Sequence, residues 1–381
     1  MTKRPVYLDY QATTPLDPRV LEVMMPYLTN KFGNPHSVNH TFGWEAEAGV
    51  DMARKQVADL IGAAPDEVIF TSGATESNNI ALKGFAYAAY PEKPHVITVA
   101  TEHNCVLQSC RALEKSGFSV TYLPVDEKGL ISLCDLEDAM TPKTSLVSVM
   151  AVNNEIGVLQ DLKKIGEVCT AKGVAFHTDA AQAMGKIPLN VDDLKIDLLS
   201  ISGHKLYGPK GVGALYVRKS LTPQPLPLFD GGGQERGLRS GTLSPALCAG
   251  LGAACEIAGQ DMEKDYEHIS RLSETLKTSL MTGLTGIYLN GSETQRYPGN
   301  LNFTFDGVTS DRLFRELRTV ALSTGSACST ERPEPSHVLT ALGLSKKQIE
   351  CSIRIGIGRI TMIEEIDYAA EQIISAITKT R

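Results

Sequence analysis

The amino-acid sequence predicts an α/β fold: a large domain with a mainly parallel sheet, joined to a smaller C-terminal α+β domain. Short β-branched runs alternate with amphipathic stretches through the first two thirds of the chain, a pattern typical of parallel sheets covered by helices on both faces. A long alanine-rich helical run near Ala246–Glu267 then interrupts the alternation. The chain of 381 residues is also longer than one compact core usually needs, which favours two domains.

The predicted large sheet rests on seven runs of strand-forming residues. Between the runs lie stretches with helical spacing of apolar residues, for example Val50, Ala53, Val57 and Ile61, which predict covering helices. The seven predicted strands are Glu67–Phe70, His95–Ala100, Ser119–Pro124, Ser145–Val152, Ala175–Ala180, Leu198–Ser202 and Gly213–Val217.

The last third of the chain predicts the smaller domain. We expect strands near Gly299–Phe305, a helix near Asp311–Arg318 and a final helix from Glu364 to about Thr378. The predicted boundaries are residues 15–255 for the large domain and residues 1–14 with 256–381 for the small one. The proline- and glycine-rich stretch Thr222–Gly233 predicts a surface loop.

Composition and charge exclude several classes of protein. Hydrophobic residues make up 42% and charged residues 21%, an ordinary globular balance that excludes disordered and fibrous chains. Lysine and arginine number 37 against 44 aspartate and glutamate residues, a net charge of −7, so direct nucleic-acid binding is not expected. We find no uncharged apolar run long enough to span a membrane and no apolar segment behind the first residues. A cytoplasmic protein without a membrane partner is expected.

The eight cysteines do not suggest a disulfide framework or a zinc site. None forms a C-x-x-C pair, and the sequence has no H-E-x-x-H motif. In a chain of this length without a secretion signal, we expect most of them to be reduced, core-filling residues. A reactive cysteine must therefore be recognised from its surroundings, and no resident metal is predicted.

The segment after the first predicted strand carries small polar residues that open a helix. It reads Thr71 to Asn79 and includes Gly73, Ala74 and Thr75. Free backbone N–H groups at a helix N-terminus attract anions such as phosphate. Simple capping by Thr71 or another hydroxyl residue explains the same pattern, so both interpretations stay open here.

Polar residues also follow the other predicted strands, where the carboxyl ends of parallel strands form a ligand-binding edge. A single histidine in such a place is more often a satisfied structural residue than a catalyst. The convergence of many polar residues on one edge is harder to explain by structural roles alone. The residues concerned are His103, Asn154, His177, Asp179, Gln182, Ser202, His204 and Lys205.

This set suits the chemistry of pyridoxal 5′-phosphate (PLP). Lys205 can form a Schiff base with the aldehyde of this cofactor. Asp179 can keep the pyridine nitrogen protonated, which makes the ring an electron sink. His103 can stack on the ring and transfer protons, and Ser202, His204 and the Thr75 loop can hold the phosphate.

With these residues in view, the sequence resembles the cysteine desulfurases, most closely the IscS/NifS-like branch that serves iron–sulfur-cluster assembly, within the class-V aminotransferases. The resemblance extends over nearly the whole chain. The segments that carry it are Ala12–Pro15, Thr71–Asn79, Thr101–His103, Asn153–Gly157, His177–Gln182, Ser202–Pro209, Gly231–Thr242, Ser323–Cys328 and Ser352–Arg354.

The resemblance implies a homodimeric fold-type-I PLP enzyme and assigns roles by position. Lys205, Asp179 and His103 keep the roles given above. Gln182 bonds the ring hydroxyl and Asn154 contacts cofactor and substrate. The implied phosphate ligands are Ala74, Thr75, Ser202, His204 and, from the neighbouring subunit, Thr242.

Two further residues receive their roles from the resemblance. Arg354 is expected to bind the substrate carboxylate, a task that suits the planar fork of a guanidinium. Cys328 lies in a run of small polar residues in the predicted small domain, which indicates an accessible loop. An incidental thiol on a surface loop is the alternative at Cys328.

The implied reaction converts L-cysteine to L-alanine and leaves a persulfide on Cys328. The sulfur then passes to acceptor proteins such as an iron–sulfur scaffold and to tRNA thiolation, and Cys328 is a potential transient ligand of a nascent cluster. A selenocysteine lyase or class-V aminotransferase is the enzymatic alternative. A non-catalytic sulfur-assembly scaffold is the alternative from another class, although Lys205, Asp179, His103 and Cys328 together argue against it.

Overall fold

The computed structural model describes residues 4–324 and 335–381, so Cys328 lies outside the described residues. The described part contains twelve strands and twelve α-helices. The strands are β1 (Val6–Tyr7), β2 (Val68–Thr71), β3 (His95–Val99), β4 (Ser119–Leu123), β5 (Thr144–Ser148), β6 (Ala175–Asp179), β7 (Leu198–Ser202), β8 (Gly213–Val217), β9 (Ile287–Leu289), β10 (Asn300–Phe305), β11 (Val320–Ala321) and β12 (Ser352–Gly356). The helices are α1 (Pro18–Thr29), α2 (Thr41–Ile61), α3 (Ala74–Asn79), α4 (Phe85–Ala89), α5 (Asn104–Lys115), α6 (Leu133–Ala139), α7 (Leu162–Lys172), α8 (Pro245–Gly283), α9 (Ser310–Glu316), α10 (His337–Ala341), α11 (Lys346–Glu350) and α12 (Ile363–Thr380).

The seven predicted strands form one sheet in the order β2-β8-β7-β6-β5-β3-β4. Strands β7, β6, β5, β3 and β4 run parallel to one another. Strand β8 is antiparallel to both of its neighbours, β2 and β7. Six of the seven strands bury every residue, since they are rich in apolar residues and are covered on both faces. Leu123 is the one buried residue of the edge strand β4. The prediction of a large, mainly parallel sheet is confirmed.

Strand β5 is shorter than predicted. It begins at Thr144 and ends at Ser148, whereas the apolar run in the sequence continues to Val152. The amides of Val149 and Ala151 still bond the carbonyls of His177 and Asp179, at 3.1 Å each. The chain therefore stays attached to β6 after β5 ends, and apolar composition alone cannot mark that end.

Helix α8 is longer than the alanine-rich run that predicted it. It is capped by the Ser244 hydroxyl and has proline at its first position, as is common at helix starts. Alanine and glycine on its first half allow close packing against α1 and α2. The helix continues without a break to Gly283 because its second half stays amphipathic, with Ile269, Leu272 and Leu276 buried. The predicted boundary at residue 255 lies inside this helix, so the division into domains stays a prediction.

The C-terminal third forms a smaller α+β unit of structure. A three-stranded antiparallel sheet has the order β12-β10-β9, and helix α12 packs against α8 and α9. Near it, β1 pairs with β11 in parallel, and Asp9 forms a bridge with Gly356. Residues 6–9 therefore pack with the last third of the chain.

Three further features bear on the predictions. The stretch 222–233 contains no helix or strand and is mostly exposed, which confirms a surface loop. The seven cysteines of the described part are all free thiols, and five are buried, as expected for reduced core residues. Across residues 4–324 and 335–381, no helix combines the length and the apolar character that crossing a membrane requires.

Candidate active site

The sheet topology brings the predicted polar residues to one edge. Strand β6 ends at Asp179 and β7 ends at Ser202, and a short 3₁₀ turn over Gly203–Lys205 follows β7 directly. Strand β3 leads into His103, which caps helix α5. Because these strands are parallel, their carboxyl ends lie side by side. The structure thus places most of the predicted residues at one site.

Lys205 points toward a segment of chain that precedes helix α1. Its Nζ donates to the carbonyl of Ala12 at 2.8 Å and to the carbonyl of Gln11. The same segment is tied to the 3₁₀ turn, since the amide and the hydroxyl of Thr14 both donate to the carbonyl of His204 at 3.0 Å. Gln11 and Ala12 therefore fix the position of the lysine amine.

Asp179 is buried at the centre of the site, with 4% of its surface exposed. Its Oδ2 accepts a hydrogen bond from Asn78 Nδ2 at 2.7 Å, and its Oδ1 accepts one from the amide of Ala181 at 2.9 Å. These two bonds hold the carboxylate in one orientation. Asn78 belongs to α3, so the helix that starts at the suspected phosphate loop also positions the expected pyridine-nitrogen partner.

His103 is held as a neutral imidazole with a defined tautomer. Its Nδ1 accepts a hydrogen bond from the amide of Cys105 at 3.2 Å and lies 3.0 Å from the Cys105 thiol. Because Nδ1 accepts a hydrogen bond from that amide, the neutral ring carries its own proton on Nε2. Burial, with help from the charges of Lys205 and His337, lowers the pKa of His103, and Asp179 opposes the shift.

Glu102, which precedes His103, is a fully buried carboxyl group. Its Oε1 accepts a hydrogen bond from the amide of Met150 at 2.6 Å, and its Oε2 has no partner within the described residues. Burial and the nearby charge of Asp179 raise the pKa of Glu102 well above the usual range. The raised pKa favours the neutral form of Glu102, which disfavours a second negative charge beside Asp179.

Gln182 connects two lysines. Its Nε2 donates to the carbonyl of Gln11 at 2.9 Å, and its Oε1 accepts from Nζ of Lys186 at 3.1 Å. The Gln11 carbonyl also accepts from Lys205. The expected partner of the ring hydroxyl is thus already oriented, with its N–H₂ group on the side of Lys205.

The expected phosphate ligands lie around the start of α3 and the turn after β7. Ala74 and Thr75 occupy the first turn of α3, which follows Gly73 with a φ of +146°. A Cβ atom on Gly73 would meet no atom within 4 Å, so open space lies beside this turn. Ser202 ends β7 and is buried.

His204 is the other expected phosphate ligand in this region. Its Nδ1 lies 3.0 Å from the Thr13 hydroxyl. Burial and the charges of Lys205, Lys210 and Lys186 lower the pKa of His204 to about 4. It is therefore neutral at pH 7 and can offer a phosphate an N–H group but no positive charge.

Arg354 lies on β12, in the small C-terminal sheet, and is held from two sides. One terminal nitrogen donates to the carbonyl of Asn154 at 2.9 Å and the other to Oδ1 of Asp9 at 2.8 Å. The Ser323 hydroxyl donates to the same oxygen of Asp9 at 3.0 Å. The guanidinium has five N–H donors, so further donors remain for a carboxylate.

Two predicted residues are not brought into this cluster by the described structure. Cys328 lies outside the described residues. Thr242 is exposed in the stretch before α8, a position compatible with a contact to another subunit. Sequence analysis gave no individual role to Asn78, Asp9, Glu102 and Lys186, which the structure adds to the site. Asn78 and Glu102 lie inside segments that carry the family resemblance, and Asp9 and Lys186 lie close to such segments, which was the only available signal.

The described residues fit PLP on evidence from the structure itself. Several buried polar atoms at the site have no hydrogen-bond partner among the described residues. They include Oδ1 of Asn78, Oε2 of Glu102, Oδ1 of Asn154 and Nε of Arg354. A buried polar atom without a partner costs about 1–3 kcal/mol, so such atoms point to a polar ligand. An amine, a buried carboxylate, a neutral imidazole and an open turn at a helix start are the groups that this cofactor requires.

Comparison with known proteins agrees with the site. Residues 6–369 match the model of the aminotransferase class-V family. A cysteine desulfurase of Mus musculus is 57% identical over 99% of this chain and 82% of its own length. Cysteine desulfurase IscS of Rickettsia akari (strain Hartford) is 55% identical over 99% of this chain and 92% of its own length. A solved structure described as SspA in complex with cysteine has a TM-score of 0.83 and 41% identity, covering 94% of this chain and all of that one.

Fold and site together define a fold-type-I PLP-dependent enzyme. The chain belongs to the cysteine desulfurases of the class-V aminotransferase family.

Proposed function

We propose that this enzyme converts L-cysteine to L-alanine, with Cys328 receiving the sulfur as a persulfide, and that the sulfur supplies iron–sulfur clusters and tRNA thiolation. The observation that carries the proposal is the arrangement of Lys205, Asp179 and His103 at one sheet edge, with Arg354 reaching in from the small sheet. The structural relative described as a complex with cysteine supports this amino acid as the substrate.

When bound, PLP supplies an electron sink for carbanion chemistry. Lys205 is the residue that would hold its aldehyde, and Asp179 would face the pyridine nitrogen. Gln182 and Asn154 would contact the ring oxygen and the substrate. Ala74, Thr75, Ser202 and His204, with Thr242 of a second subunit, would hold the phosphate.

The protein residues define where protons are held and how the substrate is oriented. Arg354 would bind the substrate carboxylate through N–H groups that Asp9 and Asn154 leave available. His103 holds a proton on Nε2, because its Nδ1 already accepts the Cys105 amide. When the amine of Lys205 is not bonded to the cofactor, it can take a proton from one carbon of the substrate and return it to another. The raised pKa of Glu102 favours its neutral form and so leaves Asp179 as the carboxylate that faces the cofactor.

The sulfur-transfer step balances without an external oxidant. The thiolate of Cys328 attacks the substrate sulfur, an S–S bond forms, and the carbon–sulfur bond of the substrate breaks. The electron pair of that bond stays with the substrate carbon, which takes up a proton and leaves as the methyl group of alanine. The products are alanine and a persulfide on Cys328, which passes its outer sulfur to an acceptor thiol.

Exposed apolar side chains support the proposed homodimer. Leu28, Phe32, Val38, Phe42 and Trp44 lie at the end of α1, in the following loop and at the start of α2, and each is between 48% and 67% exposed. Contiguous apolar surface of this kind marks interaction sites on soluble proteins.

The decisive experiment replaces the proposed nucleophile. The Cys328→Ala chain is expected to bind PLP and stay yellow but to form no protein persulfide from cysteine, as measured by mass spectrometry after alkylation. The matched control is Cys134→Ala, because Cys134 is an exposed free thiol on α6 and its loss should leave alanine release unchanged. Persulfide transfer by the Cys328→Ala chain at the wild-type rate would contradict the proposed role.

Selectivity and location complete the proposal. Alanine release from cysteine and from selenocysteine, compared at equal concentrations, separates a desulfurase from a selenocysteine lyase. The acceptor partner, expected to be a scaffold for iron–sulfur clusters, is identified by co-purification with the wild-type chain. The cytoplasmic location expected from the sequence stays a prediction.

A further inference from the structure

Lys186 is a lysine that the proposed reaction does not use, yet its side chain reaches the site. It follows β6 in the turn over residues 180–187, where its amide bonds the carbonyl of Ala183 at 2.9 Å. Its Nζ donates to Oε1 of Gln182 at 3.1 Å and lies 5.4 Å from the centre of the Tyr297 ring. The ammonium is therefore placed by one hydrogen bond and one aromatic face.

The surroundings of Lys186 are closed and carry several charges. With Lys205 it lines a small cavity of about 20 Å³ behind the site, room for about one water molecule. The ionisable groups that interact with Lys186 or share this cavity are Lys205, His204, Arg354, Arg359, Asp265, Tyr207, Tyr266 and Tyr297. Burial and the positive charges of Lys205 and Arg354 lower the pKa of Lys186 to about 7.

The hydrogen bonds form a continuous chain from Lys186 to Lys205. Lys186 donates to Oε1 of Gln182, Gln182 donates through Nε2 to the carbonyl of Gln11, and that carbonyl also accepts from Lys205. Gln182 is 5% exposed, so bulk water does not orient its carboxamide. A donor behind Oε1 therefore decides which end of the carboxamide faces the cofactor.

We propose that Lys186 is a positioning residue, which fixes the Gln182 carboxamide with its N–H₂ group toward the ring oxygen of PLP and places a second basic group behind Lys205. This inference rests on the proposed function, because it requires Gln182 to bond the cofactor. Without the lysine, the carboxamide can rotate and present an oxygen to the anionic ring oxygen. Loss of that hydrogen bond and the resulting repulsion would weaken the binding of PLP.

The test compares Lys186→Met with Lys186→Arg. Methionine has a similar length but offers no donor and no charge, whereas arginine keeps both. We expect Lys186→Met to bind PLP about tenfold more weakly, which corresponds to the loss of one hydrogen bond of about 1.4 kcal/mol. Titration of apo-protein with PLP, followed by protein fluorescence, measures this affinity without any turnover. Lys172→Met, which removes an exposed lysine at the end of α7, is the matched control.

A second readout separates positioning from general destabilisation. The link between Lys205 and PLP is cationic when protonated, so a positive charge nearby favours the loss of its proton. The yellow absorption of bound PLP then changes at a lower pH. Lys186→Met is therefore expected to move this transition to higher pH, and Lys186→Arg, whose guanidinium stays charged, is expected to move it to lower pH. A merely structural role would not give shifts of opposite sign.

A double-mutant cycle tests whether the effect passes through Gln182. Once Gln182→Leu has removed the carboxamide, adding Lys186→Met should cost no further PLP affinity. Additive losses, or unchanged affinity in Lys186→Met, would overturn the inference. If Lys186→Met does not fold, as judged by circular dichroism, Lys186→Gln provides a neutral donor, expected to keep the affinity and still move the transition to higher pH. A wild-type chain that neither binds PLP nor releases alanine from cysteine would instead refute the proposed function.

Discussion

Replacing Arg354 by lysine tests how the site binds its substrate. The Arg354 side chain is 4% exposed. Its guanidinium is held by the carbonyl of Asn154 at 2.9 Å and by Asp9 at 2.8 Å. A lysine ammonium is a single point charge and cannot keep both anchors while giving a carboxylate two parallel hydrogen bonds. At least one charge-assisted bond to the substrate carboxylate is therefore lost.

The size of the effect follows from that count. A hydrogen bond to a charged group contributes about 1.5–3 kcal/mol, so Arg354→Lys should weaken the binding of an amino-acid carboxylate by about 10- to 150-fold. L-alanine and L-alaninamide provide the assay, because the second compound lacks only the carboxylate charge. Their dissociation constants are measured from the absorption change of the PLP-loaded protein.

The ratio of the two constants is the diagnostic quantity. Wild-type protein should prefer alanine strongly, and Arg354→Lys should lose most of that preference while its affinity for alaninamide and for PLP stays the same. Arg271→Lys, at an exposed arginine of α8, is the matched control. A preference for alanine that is unchanged in Arg354→Lys would refute this reasoning, as would an equal loss for both ligands.

Two further predictions concern stability. Glu235→Ala leaves the largely buried guanidinium of Arg54, now paired at 2.7 Å, without a counter-charge. It should lower the free energy of unfolding in urea by about 3–5 kcal/mol. Asp66→Ala breaks an exposed pair with Lys219 and should give no measurable change. Because the pKa of His204 falls to about 4 in the folded chain, the unfolded chain takes up a proton first as pH drops below about 6.5. Stability should therefore decrease between pH 6.5 and 4, and urea unfolding should show a smaller decrease for His204→Gln.

The strands and the main site residues were predictable because their signals are local. Runs of β-branched residues marked six of the seven sheet strands to within a residue or two, and the parallel order placed their polar ends together. The end of β5 and the length of α8 were not predicted. At Val149–Val152 the apolar run continues beyond the strand, and α8 continues where alanine gives way to a polar, amphipathic pattern.

The residues that support the site were not predictable, since their partners are distant in sequence. Asn78 bonds Asp179 across 101 residues, and Arg354 bonds Asp9 across 345. No periodicity or spacing relates such pairs. Glu102 and Lys186 are similar cases, because their altered pKa values come from burial and from charges on other elements.

The sequence by itself determined the α/β class, the order of strands and helices, and the amine, carboxylate and imidazole from which the site is built, because residue type and local periodicity encode these. Only the tertiary structure decided how those groups are oriented and how their ionisation is shifted: which tautomer His103 adopts, which way the Gln182 carboxamide faces and which acid has a raised pKa. Orientation and ionisation depend on burial and on contacts between distant segments, and these exist only once the chain is folded.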